Sequence, residues 1–230
     1  MGSKYGVWGA IALWAIASLE TVQAAPTADD YRQRGLNYRA AGQMEAAIAA
    51  LETSVELAPE NVSGRVILGW TQHLAGQSDA ATQTLVETFY LDPFAVPTLN
   101  ALGIAQLVKG NLEAAIAAHL WAVYLKPDNE IAYFNLSLAA QRLGHYDWAA
   151  ATASRAAALE PNNPHPLIAL AIAQWHSGDL EASLETYRSA LQLSPRYATD
   201  NLPTYLRAAA FSDGQIAIAQ TLVERLGRLE

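Results

Sequence analysis

Five glycines, Gly42, Gly76, Gly110, Gly144 and Gly178, stand 34 residues apart without one insertion or deletion. Five prolines, Pro59, Pro93, Pro127, Pro161 and Pro195, keep the same step. So do the leucines Leu57, Leu91, Leu125, Leu159 and Leu193, and the acids Glu45, Asp79, Glu113, Asp147 and Glu181. Four series held in phase over five periods leave the chain few options. One supersecondary unit is repeated, and each copy must bury its apolar face against the next.

The residue types say what the unit is. The glycine falls between two helical patterns, where the residue just past a helix end needs positive φ at low cost. Directly after it, Asn111 and Asp179 are good helix N-caps, while Gln43, Gln77 and His145 at the same position are poorer. The acidic series then lies in the first turn of a second helix, where negative charge complements the helix dipole. Proline cannot continue that helix and ends it. The leucine two places earlier is expected to bury the last turn. Each unit therefore reads helix, tight turn, helix, stop.

This period and residue set resembles the tetratricopeptide-repeat (TPR) family over residues 28–197. The first repeat (28–61) carries Tyr31, Gly35, Tyr38, Ala47, Leu51, Ser54 and Pro59. The second (62–95) carries Leu68, Gly69, Gly76, Ala81, Leu85 and Pro93, and the third (96–129) Leu99, Leu102, Gly103, Ala115, Ala122 and Pro127. The fourth (130–163) has Tyr133, Leu136, Ala149, Ala156 and Pro161, with Ser137 in place of the first-helix glycine. The fifth (164–197) has Leu167, Leu170, Tyr187, Ala190 and Pro195, with Ala171 for that glycine and Ser183 for the packing alanine. The first-helix tyrosine survives only as Tyr38; Gln72, Gln106 and Gln174 replace it elsewhere. Residues 198–230 continue the phase in degraded form: a short helix from Pro203 to Phe211, a turn at Asp213-Gly214, and a helix from Gln215 to Leu226. A terminal repeat must cover the exposed end of a stack, and Gln220, Glu224, Arg225 and Arg228 supply a polar outer face. The resemblance thus implies an all-α, right-handed superhelical solenoid of about five repeats with a C-terminal capping helix pair.

By the same resemblance, the concave groove is lined by first-helix positions. Those positions place Arg32 and Arg39 in the first repeat, and Val66, Trp70 and His73 in the second. They place Asn100 in the third, Phe134 and Arg142 in the fourth, and His165, Trp175 and His176 in the fifth. Ile104, Leu138 and Ile172 share these positions, and for them packing between repeats is the competing role. Aromatic and arginine anchors with apolar neighbours suit an amphipathic helix or an extended apolar segment. A carboxylate clamp of lysines and asparagines, as in chaperone-binding members, is not expected, since only Arg32 and Asn100 fit it.

Composition narrows the function further. Net charge is −8 and no run of Lys or Arg occurs, which argues against nucleic acid as a partner. There is no cysteine, which removes disulfides, thiolate metal sites and cysteine nucleophiles. None of the five histidines stands in an HExxH pattern, and no phosphate loop or nucleophile elbow is present, so no catalytic residue, cofactor or metal is expected. Met1 to Lys4 is a short basic start, Tyr5 to Leu19 is uncharged, and Val22-Gln23-Ala24 offers small residues before a cut. Fifteen residues as a helix reach about 22 Å, short of the roughly 30 Å hydrocarbon core. Residues 1–25 read as a secretory signal peptide or, alternatively, an N-terminal membrane anchor; either places the rest in the periplasm or an equivalent extracytoplasmic space. The leading expectation is a non-catalytic adaptor holding a protein or peptide in envelope or membrane-complex assembly. The alternatives are an accessory subunit of a separate enzyme, such as a glycosyltransferase or protease, and a self-associating structural protein.

Overall fold

The computed structural model describes residues 25–228. The segment read as a signal or anchor therefore lies, up to Ala24, outside the described residues. Twelve α-helices and one 3-10 turn form the fold, with no strand among the described residues. The first ten helices come in five antiparallel pairs. These are α1 (Ala28–Ala40) with α2 (Met44–Leu57), α3 (Val62–Leu74) with α4 (Ser78–Leu91), and α5 (Val96–Lys109) with α6 (Leu112–Leu125). They continue with α7 (Glu130–Arg142) and α8 (Tyr146–Leu159), then α9 (Pro164–His176) and α10 (Leu180–Leu193). Each helix packs on the next, and α3, α5, α7 and α9 also pack on one another in turn. This is an α-solenoid whose inner face is built from the odd-numbered helices.

The glycine turn recurs with one geometry. All five series glycines have φ between +74° and +86°, the region that suits glycine. The N–H of the next residue donates back to the last turn of the first helix: Gln43 to the Tyr38 carbonyl at 2.9 Å, and Asp179 to the Gln174 carbonyl at 3.0 Å. This bond satisfies a carbonyl that the helix end would leave orphaned.

Inside each pair the helices approach through small residues. Ala47, Ala81, Ala115, Ala149 and Ser183, one per repeat, are all fully buried. First-helix glycines sit under large second-helix residues. A Cβ at Gly35 would lie 2.6 Å from Leu51 Cγ, and one at Gly103 only 2.5 Å from the His119 ring. In the fourth repeat the same two positions hold Ser137 and Ala153, so an enlargement on one helix meets a reduction on the other.

Two local expectations about the repeats need correction. The leucine series does not bury the last turn of the second helix: Leu57, Leu91 and Leu193 are exposed, and Leu125 and Leu159 are half-buried. Leu125 packs on the buried cluster of Leu99, Ala122 and Ala132, while the three exposed leucines lie at the solvent-facing ends of their helices. Asn111 does not cap α6; its amide donates to Gln106 Oε1 at 2.8 Å instead. Asp179 does cap α10, accepting from the Ala182 N–H at 3.1 Å. The strongest caps lie one element earlier. Thr27 and Asp30 form a reciprocal capping box at α1, and Asn61, Asn129 and Asn163, in phase with the 34-residue repeat but interrupted by Ala95 at α5, cap α3, α7 and α9.

After Pro195 the phase breaks. Pro195–Ala198 is a 3-10 turn, α11 (Leu202–Ala208) has only seven residues, and α12 (Asp213–Leu226) follows. The turn is not at Asp213-Gly214, which lie inside α12; it falls at Ala209-Ala210, where Ala210 has φ +66°. The reason is a capping box: Gln215 Oε1 accepts from the Ser212 N–H at 2.9 Å, and Ser212 Oγ accepts from the Gln215 N–H at 3.4 Å. The helix therefore starts at Asp213. Nor does α12 merely close the end of the stack. Gln215 Nε2 donates to the Leu138 carbonyl at 3.3 Å and to Gln141 Oε1 at 3.1 Å, both on α7. Farther along, Arg225 lies 5.0 Å above the Trp175 ring on α9. The helix thus reaches from α7 over α9 and packs equally on α10 at the end of the stack, and Ile216, Ala219, Leu222 and Leu226 share one core with Leu138, Ile168 and Ile172.

Candidate functional site

What α12 leaves uncovered is the half of the inner face built by α3, α5 and the first part of α7. Two adjoining hollows occupy it. The first, of about 590 Å³, is lined by Arg39, Val66, Trp70, Asn100, Ile104 and Ile131 among others. The second, of about 770 Å³, shares Trp70, Ile104, Glu130 and Ile131 with it and continues over His73, Phe134 and His165 to the cap. The shared residues make the two a single trough.

Helix register puts these side chains together. Val66, Trp70 and His73 lie at three- and four-residue spacing on α3, so they share one face. Trp70 and His73 stack with ring centroids 5.0 Å apart. Arg39 reaches across from α1 to donate to Thr71 Oγ1 at 3.2 Å. Asn100 exchanges two amide hydrogen bonds with Asn129, at 3.3 and 2.9 Å, while Asn129 also caps α7. The position of α7 against α5 is thereby tied to the trough floor. Phe134 packs against Phe211, at 5.7 Å between centroids, where the cap begins.

The remaining residues expected in the groove lie elsewhere. Arg32 pairs with Asp29 at 2.8 Å near the start of the stack. Arg142 donates to the Leu107 carbonyl at 2.7 Å and fastens the fourth repeat to the third. Trp175 lies beneath Arg225 of α12. His176 stacks flat on Tyr146, 4.4 Å between centroids, beside the glycine turns. The structure thus gathers Arg39, Val66, Trp70, His73, Asn100, Phe134 and His165 into one trough and distributes the other four around it.

Sequence reasoning missed part of the lining. Lys126, Asn129 and Glu130 come from the turn before α7, and Arg196, Tyr205 and Arg207 from the 3-10 turn and α11. The floor is apolar, with Ile131 42% exposed, and the walls carry both signs of charge. Burial pushes His73 below its ordinary pKa. Burial also lowers His165, with the Arg196 charge acting in the same direction and Glu160 opposing it. His165 Nε2 shares a 2.6 Å hydrogen bond with the Tyr197 hydroxyl. Such a trough is suited to burying an apolar ligand surface between charged margins.

Solved structures share this architecture. A MamA protein from Desulfovibrio magneticus superposes with a TM-score of 0.66 at 17% identity, over 75% of this chain and 97% of that one. Another MamA structure gives 0.64 at 23% identity, over 74% and 93%. A thermophilic TPR protein from Thermus thermophilus gives 0.62 at 24% identity, over 80% and 98%. At these identities the likeness is one of fold. No curated protein matches the chain at a significant level. The tetratricopeptide-repeat family model matches residues 32–95 and 134–198, together more than half of the sequence. With the 34-residue period, the positive-φ glycine turns and the paired helices, this establishes that the chain belongs to the tetratricopeptide-repeat family.

Proposed function

We propose that the protein is a non-catalytic adaptor that holds an amphipathic helix or apolar peptide segment of a protein partner in the trough between Arg39 and His165. Proteins of this family are generally protein-interaction scaffolds. The observation that carries the reading is the trough floor: Trp70, Ile104, Ile131 and Phe134 form a continuous apolar strip that no other part of the described chain covers fully. The occupied half of the same face supports a helical ligand. There α12 lies against the equivalent positions with an apolar side of Ile216, Ala219, Leu222 and Leu226. A preformed groove spends little ordering entropy on binding, so a modest contact area suffices. Partner and pathway belong to an extracytoplasmic space such as the periplasm, in envelope or membrane-complex assembly, on the strength of residues 1–25.

The test is photo-crosslinking in intact cells from a probe placed at Ile104, comparing the native trough with a Trp70→Ala/Phe134→Ala chain. A partner captured by the former and lost by the latter, at unchanged helicity, supports the site. Equal capture by both would move the contact off this face.

A further inference from the structure

The repeats serve as their own alignment, and one surface stands out in it. In the second and third repeats the ends of α4 and α6 carry Tyr90, Phe94, Trp121 and Tyr124. At the position of Phe94 the other repeats hold Glu60, Asp128, Asn162 and Arg196. At the position of Trp121 they hold Thr53, Glu87, Arg155 and Ser189, and at that of Tyr90 and Tyr124 they hold Glu56, Ala158 and Gln192. The fold therefore does not need an aromatic ring at any of these places. Yet Tyr90 is 78% exposed, Tyr124 74% and Phe94 64%, with Leu91 and Leu120 exposed beside them. Three of the rings form a continuous patch: Phe94 to Trp121 is 6.1 Å, and Trp121 stacks on Tyr124 at 5.3 Å, while Tyr90 meets the Phe89 ring at 5.8 Å. The indole N–H of Trp121 donates to the Pro93 carbonyl at 2.8 Å, which fixes the ring over the loop.

The chain itself indicates what faces this patch. Ser54 donates to the Ala28 carbonyl at 2.6 Å, so the start of α1 sits at the last turn of α2. The chain thus enters the fold on the same edge where α2, α4 and α6 end. Just upstream is the uncharged run from Tyr5 to Leu19, which contains Trp8 and Trp14. The eight residues after Leu19, Glu20 to Thr27, reach at most about 28 Å when extended. An apolar run inserted in a bilayer would hold this edge within that distance of the membrane. Tyrosine and tryptophan are the side chains that settle at a bilayer interface, with an apolar ring and a polar tip. On the same edge Glu56, Glu60 and Asp128 are exposed and Glu87 pairs with Arg65 at 3.5 Å, so among the described residues the nearby Lys126 and Arg155 give the edge no excess of positive charge, which disfavours an anionic leaflet.

We propose that the solenoid edge bearing Tyr90, Leu91, Phe94, Leu120, Trp121 and Tyr124 lies on a zwitterionic bilayer surface, tethered there by a retained apolar segment 5–19. The tether supplies effective concentration, so the patch needs only weak affinity of its own. The trough meets this edge at Val96, Pro97 and Lys126 and otherwise runs along the odd-numbered helices, where it remains open to a partner.

The absence of cysteine makes the test direct. The full chain carrying Tyr124→Cys, and separately Gln77→Cys on the opposite edge of the second repeat, is labelled with an environment-sensitive fluorophore. Each is reconstituted into phosphatidylcholine vesicles with and without brominated acyl chains. The label at 124 is expected to shift to the blue and to be quenched by the brominated lipid, while the label at 77 does neither. A label at 124 that stays water-like overturns the proposal. So does one that shifts but escapes quenching, since protein rather than lipid then covers the patch. Equal quenching at both positions also overturns it, because no edge would be selected.

Discussion

His119 sits where Leu51 and Leu85 sit in the two repeats before it, fully buried, with neither ring nitrogen meeting a hydrogen-bond partner. Gly103 makes room for the ring as Gly35 and Gly69 make room for the leucines. A buried polar group without a partner costs about 1–3 kcal/mol. Burial also drives the imidazole pKa down to about 3. The sign of the pH effect follows. The unfolded chain takes up a proton near pH 6.5 that the native site refuses, so stability is full above that pH and is lost as pH falls toward 3. The slope from this one group approaches about 1.4 kcal/mol per pH unit. His119→Leu restores the side chain of the earlier repeats. It should raise stability by about 1–3 kcal/mol at pH 7 and flatten the acid slope between pH 6 and 4. Urea midpoints at three pH values measure both. Burial lowers His73, His165 and His176 too, so a smaller slope of the same sign survives in the variant. An unaltered slope would mean that His119 is not the group that refuses the proton.

At the level of helices, α12 is the element whose placement matters most to the site. Phe211, 3% exposed, precedes it and packs on Phe134 and His165. Phe211→Ala should cost about 3–5 kcal/mol, most of it by loosening α12 from the inner face. The expected signature is faster hydrogen exchange in α12 and a red shift of the Trp175 emission, with α1–α4 unchanged. Uniform loss across all helices would instead make the cap inseparable from the stack. The contrast with the other helices explains what could be read in advance. The ten repeat helices were legible because glycine at positive φ, proline after the helix and small residues at the crossing act within a few residues of themselves. The placement of α12 depends on Gln215 reaching the Leu138 carbonyl, 77 residues away in sequence. No local pattern encodes that bond, so the sequence points to a turn at Asp213-Gly214 and to an end cover at α12. The candidate site divides along the same line. Trp70 and Phe134 follow from helix register, whereas Arg196, Tyr205 and Arg207 enter the trough only because α11 and α12 fold back.

Across the whole molecule, the folding back makes the two ends unequal. One large core joins Leu107, Leu138, Ile168, Ile172 and Tyr187 to Phe211, Ile216 and Leu222 of the cap. The first two repeats hold only small clusters around Leu51 and Leu85. In a solenoid each repeat is stabilised by its neighbours, and among the described residues α1 has a neighbouring repeat on one side only. Native-state hydrogen exchange should therefore show a gradient. Amides of α9, α10 and α12 are expected to open only with global unfolding, while those of α1 and α2 open locally at lower free energy. The trough lies between these extremes, floored by α3 and α5 and closed by the rigid end. A bound partner helix would cross-link the softer repeats to the harder ones, so its clearest effect should be on α1–α4, whose exchange slows while that of α9 and α12 barely changes. Protection concentrated instead in α9 and α12 would show that a ligand engages the cap and not the open trough, and a flat profile without ligand would show that the cap does not anchor the stack.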